Sequence, residues 1–166
     1  MSRATSRVLA TGLAAGLAGY ATVVLFFAAA NLIAGRSPFY TAALLGSAMF
    51  YGARTPAEVT VAAGPVLAYN MVHMFVFLGL GFFAAAMIEL AERHPVARYA
   101  VLVALLFVAG HVFGALIVFT HGLVTGVEMW TIGAATVAAA AVMLLVLLAR
   151  HPVLRAGLRT LPLGSE

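Results

Sequence analysis

Four long stretches of the chain carry no charged side chain, and they determine the elements that the sequence predicts. The uncharged runs cover residues 8–35, 59–88, 99–127 and 129–149. Each run reaches the roughly 20 residues that a helix needs to cross about 30 Å of hydrocarbon. Apolar and polar residues do not alternate along them, which excludes transmembrane β-strands. Because backbone groups in lipid must be satisfied within the segment, we predict an all-α protein with membrane-spanning helices.

The predicted fold is a single transmembrane domain of four helices. Their spans cover about residues 8–34, 65–91, 97–123 and 127–149. Seven arginines lie at one end of these helices, and two lie at the other. Basic residues accumulate on the cytoplasmic side of membrane proteins. We therefore expect two in-out-in hairpins with cytoplasmic N- and C-termini, in a plasma membrane of the bacterial inner-membrane type.

Residues 35–64 form the one long connection, on the predicted outer side. Ser37 is the expected N-cap of a helix that has a proline at its first position and ends at Gly52. Such a helix rises about 21 Å, which is too short to cross the bilayer. We expect it to lie in the outer interface. The spacing of Thr55 and Glu58 predicts a capping box after it.

Composition agrees with a lipid environment and excludes several classes of protein. The chain is 64% hydrophobic and only 8% charged, far from the balance of a water-exposed domain. Its formal net charge of +4 comes from arginines at helix ends, so no basic face is left for a nucleic acid. The absence of cysteine excludes disulfides and thiolate metal sites.

Glycines four residues apart predict where helices pack closely. Gly12 and Gly16 have this spacing in the first span, and Gly110 and Gly114 have it in the third. Small residues at this spacing let helix backbones approach each other in lipid. These faces are the predicted contacts within the bundle or with partner helices.

Asn70 and three histidines are the polar residues placed deep in the predicted spans. Asn70 and His73 lie three residues apart on one helix face, and His111 and His121 lie on the third span. Asparagine and histidine can hydrogen-bond across helices in lipid, worth about 0.6–2 kcal/mol. Alternatively, His73 with either His111 or His121 can supply the two axial ligands of a haem b. The same imidazoles can also serve a proton path.

Carboxylates offer less specific chemistry. Glu128 precedes the fourth span, where it can join His121 as a weak candidate for a metal site at the outer surface. Glu89 has Arg93 four residues later, which predicts an ion pair along one helix face.

A short motif occurs twice, as "RHPVAR" at 93–98 and "RHPVLR" at 150–155. Each copy follows an apolar, alanine-rich helix. Arginine and histidine complement the negative end of a helix, and proline prevents its continuation. We therefore expect His94 and His151 to lie in the membrane interface, although a duplicated hairpin would also leave this trace.

The function that the sequence favours is noncatalytic. No nucleophile motif, phosphate-binding loop or inward pair of carboxylates is present. We therefore expect a small accessory or scaffold subunit of a larger membrane assembly, which can be a redox assembly. Its partners would be lipid and either other membrane subunits or further copies of itself. The alternatives are a haem b- or metal-binding protein that transfers electrons and a small proton or solute transporter.

Overall fold

The computed structural model describes residues 3–93, 129–152 and 155, and the described part of the chain is almost entirely helical. Its four α-helices are α1 (Arg3–Ile33), α2 (Tyr40–Tyr51), α3 (Ala63–Arg93) and α4 (Met129–Arg150). A single 3-10 turn covers Pro56–Glu58, between α2 and α3. No strand occurs within these described ranges.

Three of the helices are long and apolar enough to cross a membrane, at Ala4–Ile33, Ala63–Arg93 and Trp130–Arg150. They coincide with the first, second and fourth predicted spans, and the predicted span at 97–123 lies outside the described residues. Large apolar side chains point outward along all three. Leu25 on α1 is 68% exposed, and Leu145 on α4 is 66% exposed. Such a surface suits acyl chains and is unfavourable in water.

Helix α1 lies between α3 and α4 and contacts both of them. Contacts at two levels fix the direction of α3, because Arg7 bonds to Glu89 whereas Tyr20 bonds to Asn70. Arg150 of α4 donates to the Ala10 carbonyl at 3.2 Å, and a Cβ added to Gly19 would meet the Met143 side chain, so α4 also contacts α1 at two levels. Both α3 and α4 therefore run antiparallel to α1 and parallel to each other. We call the end with Arg7 and Glu89 the arginine end, and the end with α2 the loop end.

Glycines set the separation of α1 and α3. A Cβ added to Gly81 of α3 would overlap the Gly12 carbonyl oxygen and would lie 2.8 Å from the Gly16 Cα. A Cβ on Gly16 would lie 2.9 Å from the Cα of Leu78. The two backbones thus touch directly, as small residues allow in lipid.

Helix α2 begins two residues later than predicted. Its N-cap is Phe39 rather than Ser37, and Phe39 makes no side-chain capping bond. Ser37 still takes part in the turn that leads into α2, because its Oγ accepts from the Phe39 backbone N–H at 3.4 Å and its carbonyl accepts from the Tyr40 N–H at 2.9 Å. Asn31 Nδ2 of α1 donates to the Pro38 carbonyl beside this turn at 3.3 Å. The predicted end is confirmed, since Gly52 adopts a left-handed conformation with φ of 74°.

One face of α2 packs on the start of α3. Thr41, Leu44 and Ser47 are buried on it, and a Cβ on Gly46 would overlap the Pro65 carbonyl oxygen. Asn31 and Thr41 exchange two hydrogen bonds of 3.0 and 3.1 Å, which tie α2 to the end of α1. The short helix is therefore attached to two of the long ones.

The turn after α2 differs from a capping box. Thr55 Oγ1 and the Arg54 backbone N–H both donate to the Glu58 carboxylate, each at 2.9 Å. In a capping box, the side chain at the Thr55 position would instead accept from the backbone N–H three residues later. These donors, first among them the Arg54 N–H, lower the pKa of Glu58 below its usual value.

We expect this turn to loosen in acid. Because the pKa of Glu58 is lower in the folded chain than its ordinary value of 4.5, this contribution is present above the ordinary value and is lost as pH falls through the lower folded value. Hydrogen exchange of the Arg54 amide, read by mass spectrometry across this range, should show the loss of protection. Glu58→Gln should remove the pH dependence. A wild-type profile identical to that of the variant would contradict this account.

Candidate functional site

Five ionisable side chains meet at the arginine end, contributed by α1, α3 and the residue that follows α4. We call Arg7, Glu89, Glu92, Arg93 and His151 the arginine-end cluster. Its centre is Glu89. Arg93 donates from Nε and Nη2 to Glu89 Oε1 at 3.0 and 2.9 Å, so the predicted i,i+4 pair is present. Arg7 donates to the other oxygen, Oε2, from Nε at 3.0 Å and also from Nη2. Both oxygens of one carboxylate are thus held by guanidinium groups.

Glu92 and His151 form the second half of the cluster. Arg7 Nη2 lies 3.3 Å from Glu92 Oε2, and His151 Nδ1 lies 3.2 Å from Glu92 Oε1. The imidazole contact is close, but it is not aligned as a hydrogen bond. Within the described residues, neither ring nitrogen of His151 has a hydrogen-bond partner, and nor does Glu92 Oε1. Because His151 is 0% exposed, its nitrogens have no access to water either.

Within the cluster, the acidic side chains are much less exposed than the basic ones. The side chains of Glu89 and Glu92 are 11% and 9% exposed, whereas those of Arg7 and Arg93 are 46% and 56% exposed. The carboxylates and the imidazole are therefore largely shielded, and the two arginine side chains reach them from the exposed side of the cluster. Two carboxylates face two guanidinium groups, so the charges balance when His151 is neutral.

The local sequence explains how these groups converge. Glu89, Glu92 and Arg93 follow at i, i+3 and i+4 and share one face of α3. His151 comes directly after Arg150, the last residue of α4. His151, which was expected in the membrane interface, lies at the arginine end with its side chain fully buried beside Glu92 of α3.

His73 occupies a second polar position, nearer the loop end. Its ring lies 5.1 Å from that of Tyr69, 5.1 Å from that of Phe77 and 6.4 Å from that of Tyr20. The Nε2 atom is buried and has no hydrogen-bond partner in the described part of the chain. This nitrogen is the atom that a haem or metal ligand would use.

Asn70 links α3 to α1 beside that histidine. Its Oδ1 accepts from the Tyr20 hydroxyl at 3.0 Å, and its Nδ2 donates to the Val66 carbonyl at 2.8 Å. Both hydrogen-bonding ends of the amide are therefore used, one of them across helices.

The structure brings together some of the residues named from the sequence and leaves others undescribed. Gly12 and Gly16 lie in the α1–α3 contact, and Asn70 and His73 both face Tyr20. The other candidates lie outside the described residues: His94, Gly110, His111, Gly114, His121 and Glu128.

Sequence reasoning did not pair Arg7, Tyr20 or Gly81 with the residues that they contact, although each carried a signal. All three are polar or small residues on predicted spans or at their ends, but their partners are 50 to 82 positions away. Pairing the two helices antiparallel, with Gly12 and Gly16 opposite Gly81, would have placed Arg7 near Glu89.

Comparisons with protein-family models, curated proteins and solved structures find no match to this chain. The geometry of the described helices therefore carries the functional argument.

Proposed function

We propose that the protein is a noncatalytic accessory subunit of a larger membrane assembly, in which it acts as a rigid helical scaffold. The observation that supports this proposal is that buried or partly buried polar side chains form pairs between helices. At the loop end Asn31 pairs with Thr41, midway Tyr20 pairs with Asn70, and at the arginine end Arg7 pairs with Glu89.

Each of these pairs links α1 to another helix. A hydrogen bond of this kind contributes about 0.6–1.7 kcal/mol in a membrane protein. Polar groups with partners in the bundle are not free to line a solute path. These three side-chain pairs, spread along α1, therefore favour a fixed arrangement of helices over a solute pathway.

The proposed topology has four crossings, with both termini in the cytoplasm of a bacterial-type cell. Glu92 of α3 lies beside His151 at the end of α4, so both helices finish at the arginine end. Met129 begins α4 about 32 Å away, at the opposite end. Residues 94–128 must connect these two ends, and their uncharged run at 99–127 is long enough to span. The arginine end would face the cytoplasm, and α2 would lie in the outer interface.

The proposed partners are the surrounding lipid and other membrane subunits, or further copies of the chain. Gly79 offers one position for a partner helix, because it is exposed and a Cβ on it would meet no described atom within 4 Å. A small exposed residue on an apolar helix lets another backbone approach closely.

Native mass spectrometry of gently solubilised membranes tests the proposal. We expect an assembly of defined stoichiometry, heavier than the 17.2 kDa chain, and an absorbance spectrum without a Soret band. Gly79→Leu should dissociate the assembly. Leu25→Phe, which adds bulk at a position 68% exposed on α1, should not. A chain that remains monomeric in every detergent, or that transports protons in liposomes, would contradict the proposal.

A haem- or metal-binding role for His73 is the second candidate, favoured by its buried and unpartnered Nε2. The proposed second ligand, His111 or His121, lies outside the described residues. A Soret band that His73→Ala abolishes and that His151→Ala preserves would establish this role in place of the first. A spectrum without the band after expression with added haem would exclude haem.

A further inference from the structure

We propose that the arginine-end cluster binds a divalent transition-metal ion of the zinc type through His151, Glu92 and Glu89. One ligand atom from each of these residues can be chosen so that all lie within 4.8 Å of one another. This inference goes beyond the scaffold role and does not depend on it.

The buried imidazole is the observation that points to a ligand. His151 is 0% exposed, and both of its ring nitrogens lack a hydrogen-bond partner in the described structure. Glu92 Oε1 lacks one as well, and it lies 3.2 Å from His151 Nδ1. Buried polar groups are nearly always paired. The ion pairs of Glu89 give none of these three atoms a partner, whereas a bound cation would engage Glu92 Oε1 and one ring nitrogen.

The spacing of these atoms fits a tetrahedral site. Zinc binds histidine nitrogen and carboxylate oxygen at about 2.0–2.2 Å, which places neighbouring ligands about 3.3–3.5 Å apart. The 3.2 Å between His151 Nδ1 and Glu92 Oε1 is close to that value. Glu89 would complete the set of three protein ligands after a side-chain rotation, and water would take the fourth position.

A divalent metal ion can replace the two arginine side chains as the positive charge that neutralises the carboxylates. A dication carries the same charge as the guanidinium groups of Arg7 and Arg93 together, so the two carboxylates stay neutralised. Both arginine side chains are about half exposed and can extend into water. Glu89 and His151 are buried and Glu92 is partly buried, so the three residues would stay at the arginine end while the Glu89 side chain rotates toward the ion.

The donor atoms also select the class of metal. Imidazole nitrogen with carboxylate oxygen suits zinc, copper, nickel and iron. Magnesium and calcium prefer all-oxygen sites with more ligands. The site should therefore discriminate against both of these ions.

Metal titration of the full-length protein in detergent, after treatment with a chelator, tests the proposal. We expect one Zn²⁺ per chain by calorimetry, and the visible absorption of tetrahedral Co²⁺ when cobalt is the probe. Magnesium should give no heat at the same concentrations. Glu92→Gln and His151→Gln should each weaken binding at least tenfold. Glu58→Gln is the matched control for Glu92→Gln, since it removes a solvent-exposed carboxylate outside the cluster and should leave the affinity unchanged.

Arg7→Gln supplies a second, opposite test. Because Arg7 competes with the metal for both carboxylates, its removal should tighten binding severalfold, whereas a purely structural cluster would gain nothing. If His151→Gln does not fold, the metal affinity of Glu92→Gln, which keeps the side-chain volume, tests the proposal. The proposal is overturned by an absence of stoichiometric binding, by equal binding in wild type and Glu92→Gln, or by weaker binding in Arg7→Gln.

Discussion

Gly81→Ala should destabilise the protein by about 3 kcal/mol, at the upper end of the usual cost of overpacking a well-packed interior. The added methyl group would meet backbone atoms of Gly12 and Gly16 on α1 and no flexible side chain. Because these atoms belong to a helix backbone, the methyl group is accommodated only if α1 and α3 move apart. Unfolding in a mixed-micelle denaturant series, followed by circular dichroism, measures the change.

Gly79→Ala is the matched control, two residues earlier on the same helix. A Cβ at this position meets no described atom within 4 Å, so the substitution should be neutral or should stabilise α3 by up to about 1 kcal/mol through helix propensity. Equal losses of stability in the two variants would show that α1 and α3 do not pack through Gly81.

Glu89→Gln should have the second largest effect, a loss of about 1–3 kcal/mol. Removing one partner of a fully buried ion pair costs about 3–5 kcal/mol. The value here is smaller because Arg7 and Arg93 are about half exposed and water screens them. After the substitution, Glu92 is the one carboxylate in the described cluster that remains to pair with the two guanidinium groups.

A double-mutant cycle isolates the contact between helices. Arg7→Gln and Glu89→Gln should together cost clearly less than the sum of the single changes, since they remove the same interaction. Glu58→Gln is the control for the lost charge, because Glu58 is solvent-exposed and far from the cluster in sequence. Strict additivity of the two changes would show that Arg7 and Glu89 do not interact in the folded protein.

Elements that depend on local sequence were predictable. The uncharged runs placed α1, α3 and α4 to within a few residues, except for the start of α1, which extends five residues earlier than predicted. Gly52 marked the end of α2 because only a residue without a Cβ adopts its φ freely. The Glu89–Arg93 pair followed from helical spacing alone.

Contacts between distant segments were not predictable in the same way. Hydropathy shows that a helix is apolar but does not show which helix faces it, or at which register. Arg7 was therefore placed only among the arginines at one end of the helices, and its bond to Glu89 on α3 was not predicted. His151 follows the end of α4, and the local sequence does not show that it is fully buried beside Glu92 of α3.

The start of α2 shows a related limit. Ser37 followed by proline is a typical helix start. However, Asn31 on a neighbouring helix bonds the Pro38 carbonyl, and the helix begins at Tyr40 instead. The local signal therefore locates the start of α2 to within about two residues.

Labelling of single cysteines tests the central claim most directly, namely that the described helices cross a membrane with the loop end and the arginine end on opposite sides. The natural chain has no cysteine, so Glu58→Cys and Arg155→Cys each introduce one reactive site. An impermeant maleimide added to intact cells should label position 58 and leave position 155 unlabelled until the membrane is permeabilised. Labelling of both positions from the same side, or recovery of the protein in the soluble fraction, would contradict the account.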